Sequence, residues 1–74
     1  MKNFIPEVGM KIKPQYTYID TYVRIITAIR DGDEDIVVTY DRINASGRVT
    51  EFSVDIRHFC SDFEPVITIE GFEV

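Results

Sequence analysis

Alternation of apolar and polar residues constrains the fold of this 74-residue chain more than any other feature of its sequence. In the runs 21–30, 35–43 and 48–54, successive side chains alternate in character with the period of two that β-strands require. The links 31–34 and 44–47 each contain a glycine with Asp or Asn, residues that favour tight turns. The sequence therefore predicts two consecutive hairpins that join three antiparallel strands.

Two further strands flank this meander. Residues 10–13 alternate apolar and basic side chains before Pro14, and residues 63–70 alternate again. Pro65 cannot donate a ladder hydrogen bond, which predicts an edge position or a bulge for the last strand. The expected order is one strand, an open loop, the three-strand meander, a change of period, and a final strand.

The change of period indicates a short helical segment at 55–62. Ile56, Phe59 and Cys60 stand at positions i, i+3 and i+4, the spacing of one helical face, with Ser53 or Asp55 as the N-cap. A segment this short is not stable alone, so we expect a single 3₁₀ or α turn held by burial of its apolar residues.

Seventy-four residues make one small domain, which buries only about 60% of the surface that its unfolded chain exposes. We expect an N-terminal arm over 1–8, one domain over 9–70 and a C-terminal tail over 71–74. A five-stranded sheet of this size buries its apolar face by curling over itself. The predicted core residues are Met10, Ile12, Val23, Ile25, Ile29, Ile36, Val38, Tyr40, Phe52, Val54, Ile56, Phe59, Phe63 and Ile67.

This order of elements resembles the SH3-like barrel, an all-β fold of five strands with a short 3₁₀ turn before the last strand. The resemblance covers residues 9 to about 69. The chain is also similar to small bacteriophage and prophage proteins of unassigned role, which share an opening glycine, a V-x-Y-x-R-like strand and an F-x-x-x-F-x-P-V ending. The matching residues are Gly9, Val38, Tyr40, Arg42, Phe59, Phe63, Pro65 and Val66. The resemblance implies a viral or prophage origin and a binding role, and it implies no catalytic residues.

Charge divides the chain into two parts. Residues 1–30 hold five basic and two acidic residues, whereas residues 31–74 hold three basic and eleven acidic residues, for a net charge of −5. Nucleic-acid binding draws most of its affinity from cations that neutralise phosphates, so the acidic balance disfavours a nucleic-acid binder. The negative charge either keeps a small protein soluble, or forms a face that docks on a basic partner or replaces a phosphate backbone.

No catalytic or metal-binding constellation emerges from the sequence. His58 and Cys60 are two residues apart, and on a helical turn they point in different directions, so we expect a surface histidine and a small core filler. Asp31, Asp33 and Asp35 resemble the start of a calcium loop. However, the sixth position of such a loop needs glycine and the twelfth needs glutamate, and this chain has Ile36 and Arg42 there. The sequence predicts neither an enzyme nor a cofactor.

The partner-binding residues that we predict form two groups. The first lies in the loop after the first strand, where exposed aromatic rings give contact area at low entropic cost. The second is the acidic turn of the first hairpin. The predicted residues are Tyr16, Tyr18, Asp20 and Tyr22 of the loop and Asp31, Asp33, Glu34 and Asp35 of the turn. The chain lacks the tryptophan used in SH3-type recognition of proline-rich ligands, so a proline-rich ligand is disfavoured.

These observations favour a non-enzymatic adaptor or inhibitor that binds a host or phage protein in the cytoplasm. The alternative is a small nucleic-acid-binding barrel that uses Lys11, Lys13, Arg24 and Arg30. No apolar run reaches the roughly 20 residues of a membrane span. We expect either a monomer or a homodimer paired through the edge of the last strand.

Overall fold

The computed structural model describes residues 4–15, 22–69 and 71–73. The described chain is mostly β, as predicted, with seven strands and one helix. In chain order these are β1 (Lys11–Pro14), β2 (Val23–Asp31), β3 (Ile36–Ile43), β4 (Val49–Asp55), α1 (Ile56–Asp62), β5 (Phe63–Pro65), β6 (Thr68–Ile69) and β7 (Phe72–Glu73).

Five of the strands form one antiparallel sheet in the order β4-β3-β2-β1-β5. The two predicted hairpins, β2–β3 and β3–β4, are confirmed. The sheet is not closed, because β4 and β5 lie at its two edges. The predicted single strand over 63–70 divides into β5 and β6, and β6 pairs with β7 in a separate two-stranded sheet.

A β-bulge in β2 determines which side chains of this strand enter the core. Ile26 pairs with Tyr40 and Ala28 pairs with Thr39, so Thr27 is the extra residue. Ile26 is 1% exposed, and the bulge also brings Ile29 onto the core face. The core therefore lies on the face that carries Ile26.

The predicted core is correct for most positions. Ile12, Val38, Tyr40 and Phe59 are buried, and Met10, Ile29, Phe52, Val54, Ile56 and Phe63 pack against them. The prediction is wrong for Val23, Ile36 and Ile67, which are exposed. It is also wrong for Ile25, which pairs with Lys11 and lies on the opposite face from Ile26. The error in β2 arises because the predicted strict alternation left no place for the bulge.

The helical segment predicted at 55–62 is the α-helix α1, and its cap is the predicted Asp55. The Asp55 backbone is extended, and its Oδ1 accepts a hydrogen bond from the His58 amide at 3.0 Å. Phe59 is the buried residue of this helix. Within the described ranges, no helix is long and apolar enough to cross a membrane.

Phe59 is the centre of an aromatic cluster. Its ring centroid lies 5.9 Å from that of Tyr40, 5.2 Å from that of Phe63 and 5.9 Å from that of Phe4. Pro6 is buried as well, so the predicted arm over 1–8 contributes side chains to the packed interior. The cluster connects the N-terminal segment, β3, α1 and β5.

Because of the bulge, Ile26 and its neighbour Ile25 should contribute very differently to the free energy of unfolding. We expect Ile26→Ala to lower the free energy of unfolding by about 2–5 kcal/mol, because it leaves a cavity in the core. Ile25→Ala removes the same atoms from the opposite, half-buried face and should cost less than half as much. Urea denaturation of both variants measures the difference, and equal losses would contradict the assigned register.

Candidate functional site

The acidic turn between β2 and β3 depends on a close backbone approach at Gly32. The Gly32 amide donates a hydrogen bond to the Asp35 carbonyl at 2.8 Å. A Cβ atom at position 32 would lie 2.6 Å from that same oxygen and 2.7 Å from Cγ2 of Val37. The φ angle of Gly32 lies outside the positive range that favours glycine. Its missing side chain is what the turn requires.

This turn and the start of α1 enclose a groove of about 380 Å³, which we call the acidic groove. The pairing of Val37 with Asp55 places the end of β4 beside the start of β3, so the helix begins next to the turn. The groove is lined by Asp33, Glu34, Asp35, Val37, Asp55, Arg57 and His58. Three of the four predicted acidic residues therefore lie together. The fourth, Asp31, ends β2 and is not part of the lining.

Carboxylates outnumber the basic groups of the acidic groove. Two ion pairs compensate part of the negative charge: Arg57 Nε lies 3.5 Å from Asp35 Oδ2, and His58 Nδ1 lies 2.7 Å from Asp55 Oδ2. The Arg57 side chain is almost fully exposed, so its pair adds little to stability. Asp33 and Glu34 are exposed at the rim, where water and partners reach them.

The contact between Asp55 and His58 changes the pKa of both side chains. Hydrogen bonds from the His58 amide and then from its ring lower the pKa of Asp55. The hydrogen bond to Asp55, together with the charge of that carboxylate, raises the pKa of His58, and the charge of Asp62 adds to this effect. His58 therefore keeps its positive charge to a higher pH than an isolated histidine.

The part that His58 plays in the groove was not predicted from the sequence, where we expected a surface histidine. A usable signal was present in the spacing of Asp55 and His58, since a cap residue and the residue three positions later meet at a helix start. Cys60 is half-buried against the core, and its thiol lies 3.7 Å from the Phe4 carbonyl oxygen. Burial raises the pKa of this thiol, which disfavours the reactive thiolate.

Tyr22 and the acidic turn lie at opposite ends of β2. Tyr16, Tyr18 and Asp20 fall outside the described residues. Tyr22 is exposed just before β2, and the acidic turn follows Asp31. The eight steps from Val23 to Asp31 span about 26 Å at roughly 3.3 Å per residue. Tyr22 is therefore too far from the acidic turn to form one compact surface with it.

The four basic residues of the nucleic-acid alternative lie on two faces of the sheet. Lys11 and Lys13 flank the buried Ile12 and lie on the outer face, and Arg30 shares that face through its pairing with Val37. Arg24 pairs with Ile12 and lies on the core face. Lys13 Nζ also lies 3.7 Å from Glu64 Oε1. No single strip contains all four cations.

Comparison of the chain with protein-family models, curated proteins and solved structures finds no match. Among the described residues, no group of three or more His, Cys, Asp or Glu side chains is arranged to hold a metal ion. The site must therefore be interpreted from its own geometry and charge.

The Asp55–His58 pair should make stability depend on pH near neutrality. The pKa of His58 is raised in the folded state above its ordinary value of 6.5. The resulting stabilisation is complete below pH 6.5 and is lost as pH rises through the folded-state pKa. Asp55→Asn removes the charge and retains a capping side chain, so this dependence should become smaller and only the contribution of Asp62 should remain.

Two measurements check this prediction. NMR titration should give a higher His58 pKa in the wild-type protein than in the Asp55→Asn variant. Urea unfolding between pH 5 and 8, below the titration of the Cys60 thiol, should show a larger loss of stability with rising pH in the wild type than in the variant. Identical His58 titrations in the two proteins would contradict the pairing.

Proposed function

We propose that this chain is a non-enzymatic adaptor or inhibitor that binds a basic segment of a host or phage protein in the acidic groove. The observation that carries the proposal is the groove itself, which gathers Asp33, Glu34, Asp35 and Asp55 around about 380 Å³ of accessible space. A lysine or arginine of the partner would meet carboxylates on several sides there.

The lining of the acidic groove suits a long basic side chain. Val37 contributes apolar surface, against which the methylene stem of lysine or arginine can pack while its charged end reaches the rim carboxylates. Asp33 and Glu34 lie in the turn itself, and neither forms a salt bridge with another described residue. They are the groups most available to a partner's cation.

A partner can contact this protein at two separate regions. The groove is one, and the predicted tyrosine-bearing loop is the other; its described residue, Tyr22, lies about 26 Å from the turn along β2. A partner that uses both must extend along the sheet or present two segments. Such a partner would lose part of its affinity, rather than all of it, when one contact is removed.

An SH3-like architecture and a phage origin belong to this proposal. The short helix α1 directly before β5 supports the first. In the F-x-x-x-F-x-P-V pattern, Phe59 and Phe63 are core residues and Pro65 pairs with Ile12. These positions serve packing, so the pattern supports a shared fold more than a shared partner. The host cytoplasm is the location that a phage origin implies.

A short capped lysine-rich peptide tests the groove directly. We expect its chemical-shift perturbations to concentrate at residues 33–37 and 55–58 in NMR titrations. Asp33→Asn combined with Glu34→Gln should weaken binding roughly fivefold, since two exposed charge pairs contribute about 1 kcal/mol together. The matched control, Glu7→Gln with Glu51→Gln, removes the same charge from two exposed residues outside the groove lining.

Comparison of the two double variants shows whether the groove itself binds the peptide. If both double variants weaken peptide binding equally, the attraction comes from net charge and the groove is not a site. Shifts scattered over the whole sheet would lead to the same conclusion. Tighter binding of a single-stranded oligonucleotide with a steep salt dependence would favour the nucleic-acid alternative instead.

A further inference from the structure

The open edge of the sheet along β4 presents main-chain hydrogen-bonding groups. The Asn44 amide donates a hydrogen bond to the Arg48 carbonyl at 3.0 Å, and alternate residues of an antiparallel strand bond to the same neighbour. The residues of β4 whose N–H and C=O groups face β3 are therefore Thr50, Phe52 and Val54. Along the opposite side, where no described strand pairs with β4, the groups that face outward are those of Val49, Glu51 and Ser53.

The two edges of the sheet differ in their protection against an added strand. β5 is three residues long and contains Pro65, and short length and proline both block an edge. β4 has seven residues with neither proline nor lysine, and its register with β3 continues without a bulge from Val49 to Asp55. Its outward-facing residues Val49, Glu51 and Ser53 are exposed. β4 is therefore the edge on which an extended peptide can pair.

We propose that an extended segment of the protein partner adds to β4 as a further antiparallel strand and brings a basic residue to the acidic groove. Edge addition of this kind gains its affinity from main-chain hydrogen bonds. The inference rests on the proposed function, since the edge and the groove are continuous: Asp55 ends β4 and also lines the groove. On an added strand, the side chain opposite Asp55 lies next to that carboxylate.

The side chains along β4 determine which residues the added strand should carry. Val49 is 54% exposed and continues a row of apolar side chains that also contains Val23 and Ile43. Phe52 is half-buried on the core face. Apolar residues opposite Val49 and Phe52 would cover both side chains, and a basic residue suits the position opposite Asp55. The partner segment is thus β-forming, with one basic residue at its N-terminal end.

A second copy of this chain suits the edge less well. Glu51 and Asp55 would be repeated on the pairing strand, and each chain carries a net charge of −5. Like charges on paired strands destabilise the pairing, and the net charges of the two chains repel each other. A neutral or basic segment meets no such repulsion.

The capped peptide Lys-Thr-Thr-Val-Thr-Thr-Val tests the edge by NMR titration of the wild-type protein. Its lysine is placed opposite Asp55, and its two valines are placed opposite Phe52 and Val49. We expect the largest amide shifts at residues 49–53 and smaller shifts at 33–37 and 55–58. Hydrogen exchange of the Glu51 and Ser53 amides should slow, because these N–H groups become donors to the peptide.

Two N-methylated peptides separate main-chain pairing from attraction between charges. Methylation of the third and fifth peptide nitrogens removes the N–H groups that face β4, and should weaken binding about tenfold or more. Methylation of the fourth and sixth nitrogens, which face away from β4, should weaken binding less than about threefold. The two peptides have the same charge and the same number of methyl groups.

Two substitutions at one position give matched protein variants. Glu51→Pro removes the carboxylate and the outward N–H, which makes no ladder bond to β3, so proline is compatible with the strand. Glu51→Gln removes the carboxylate alone. We expect Glu51→Pro to weaken peptide binding about tenfold or more and Glu51→Gln to change it less than about twofold. Circular dichroism checks that both variants fold, and the methylated peptides decide the result on the wild type if Glu51→Pro unfolds.

The edge and the groove can fail separately. Shifts confined to residues 33–37 and 55–58, or equal affinities of the two methylated peptides, would overturn the edge and leave the groove as a site. Undiminished binding at residues 49–53 after glutamine replaces the peptide lysine would support the edge and count against the groove. Absence of peptide binding, or dimers in light scattering that Glu51→Pro abolishes, would overturn the edge proposal, while the lysine-rich peptide still tests the groove.

Discussion

Burial of the Phe59 ring is the interaction on which the rest of the structure depends. Its side chain is fully buried, and its ring contacts those of Phe4, Tyr40 and Phe63. Aromatic pairs contribute about 0.5–1.5 kcal/mol each beyond the area that they bury. In a domain of 74 residues, whose total stability is small, such a cluster is a large share of what holds the fold together.

The same core positions the acidic groove. Because Phe59 fixes α1 against the sheet, the start of the helix lies beside the β2–β3 turn and the acidic groove forms between them. At the other end of β2, the guanidiniums of Arg24 and Arg42 lie over the rings of Phe63 and Phe52, which pack on the same core.

Alternation of side chains was sufficient to predict the two hairpins and the helical segment, because the period of a strand and that of a helix are local properties. The bulge at Thr27 was not predictable in this way, since Ile25 and Ile26 are chemically identical and only the pairing with β3 distinguishes them. The reason for Gly32 was also inaccessible, because it lies in the approach of the Asp35 carbonyl.

The candidate site was predictable only where its residues are close together in the sequence. Asp33, Glu34 and Asp35 are neighbours in the chain, so their proximity is visible in the sequence. The position of Asp55 and His58 beside this turn was not visible, because they are about 20 residues away and meet it only through the pairing of β3 with β4. The distance between Tyr22 and the acidic turn was also not visible, because it is set by the length of β2.

The most direct test of this account is the unfolding of a Phe59→Ala variant followed by circular dichroism and urea titration. We expect a loss of about 3–5 kcal/mol in the free energy of unfolding, which is a large part of the total stability of a domain of this size. Val49→Ala, at an exposed position of β4, should remain close to the wild type. A Phe59→Ala protein with near-wild-type stability would contradict the central place given to this ring.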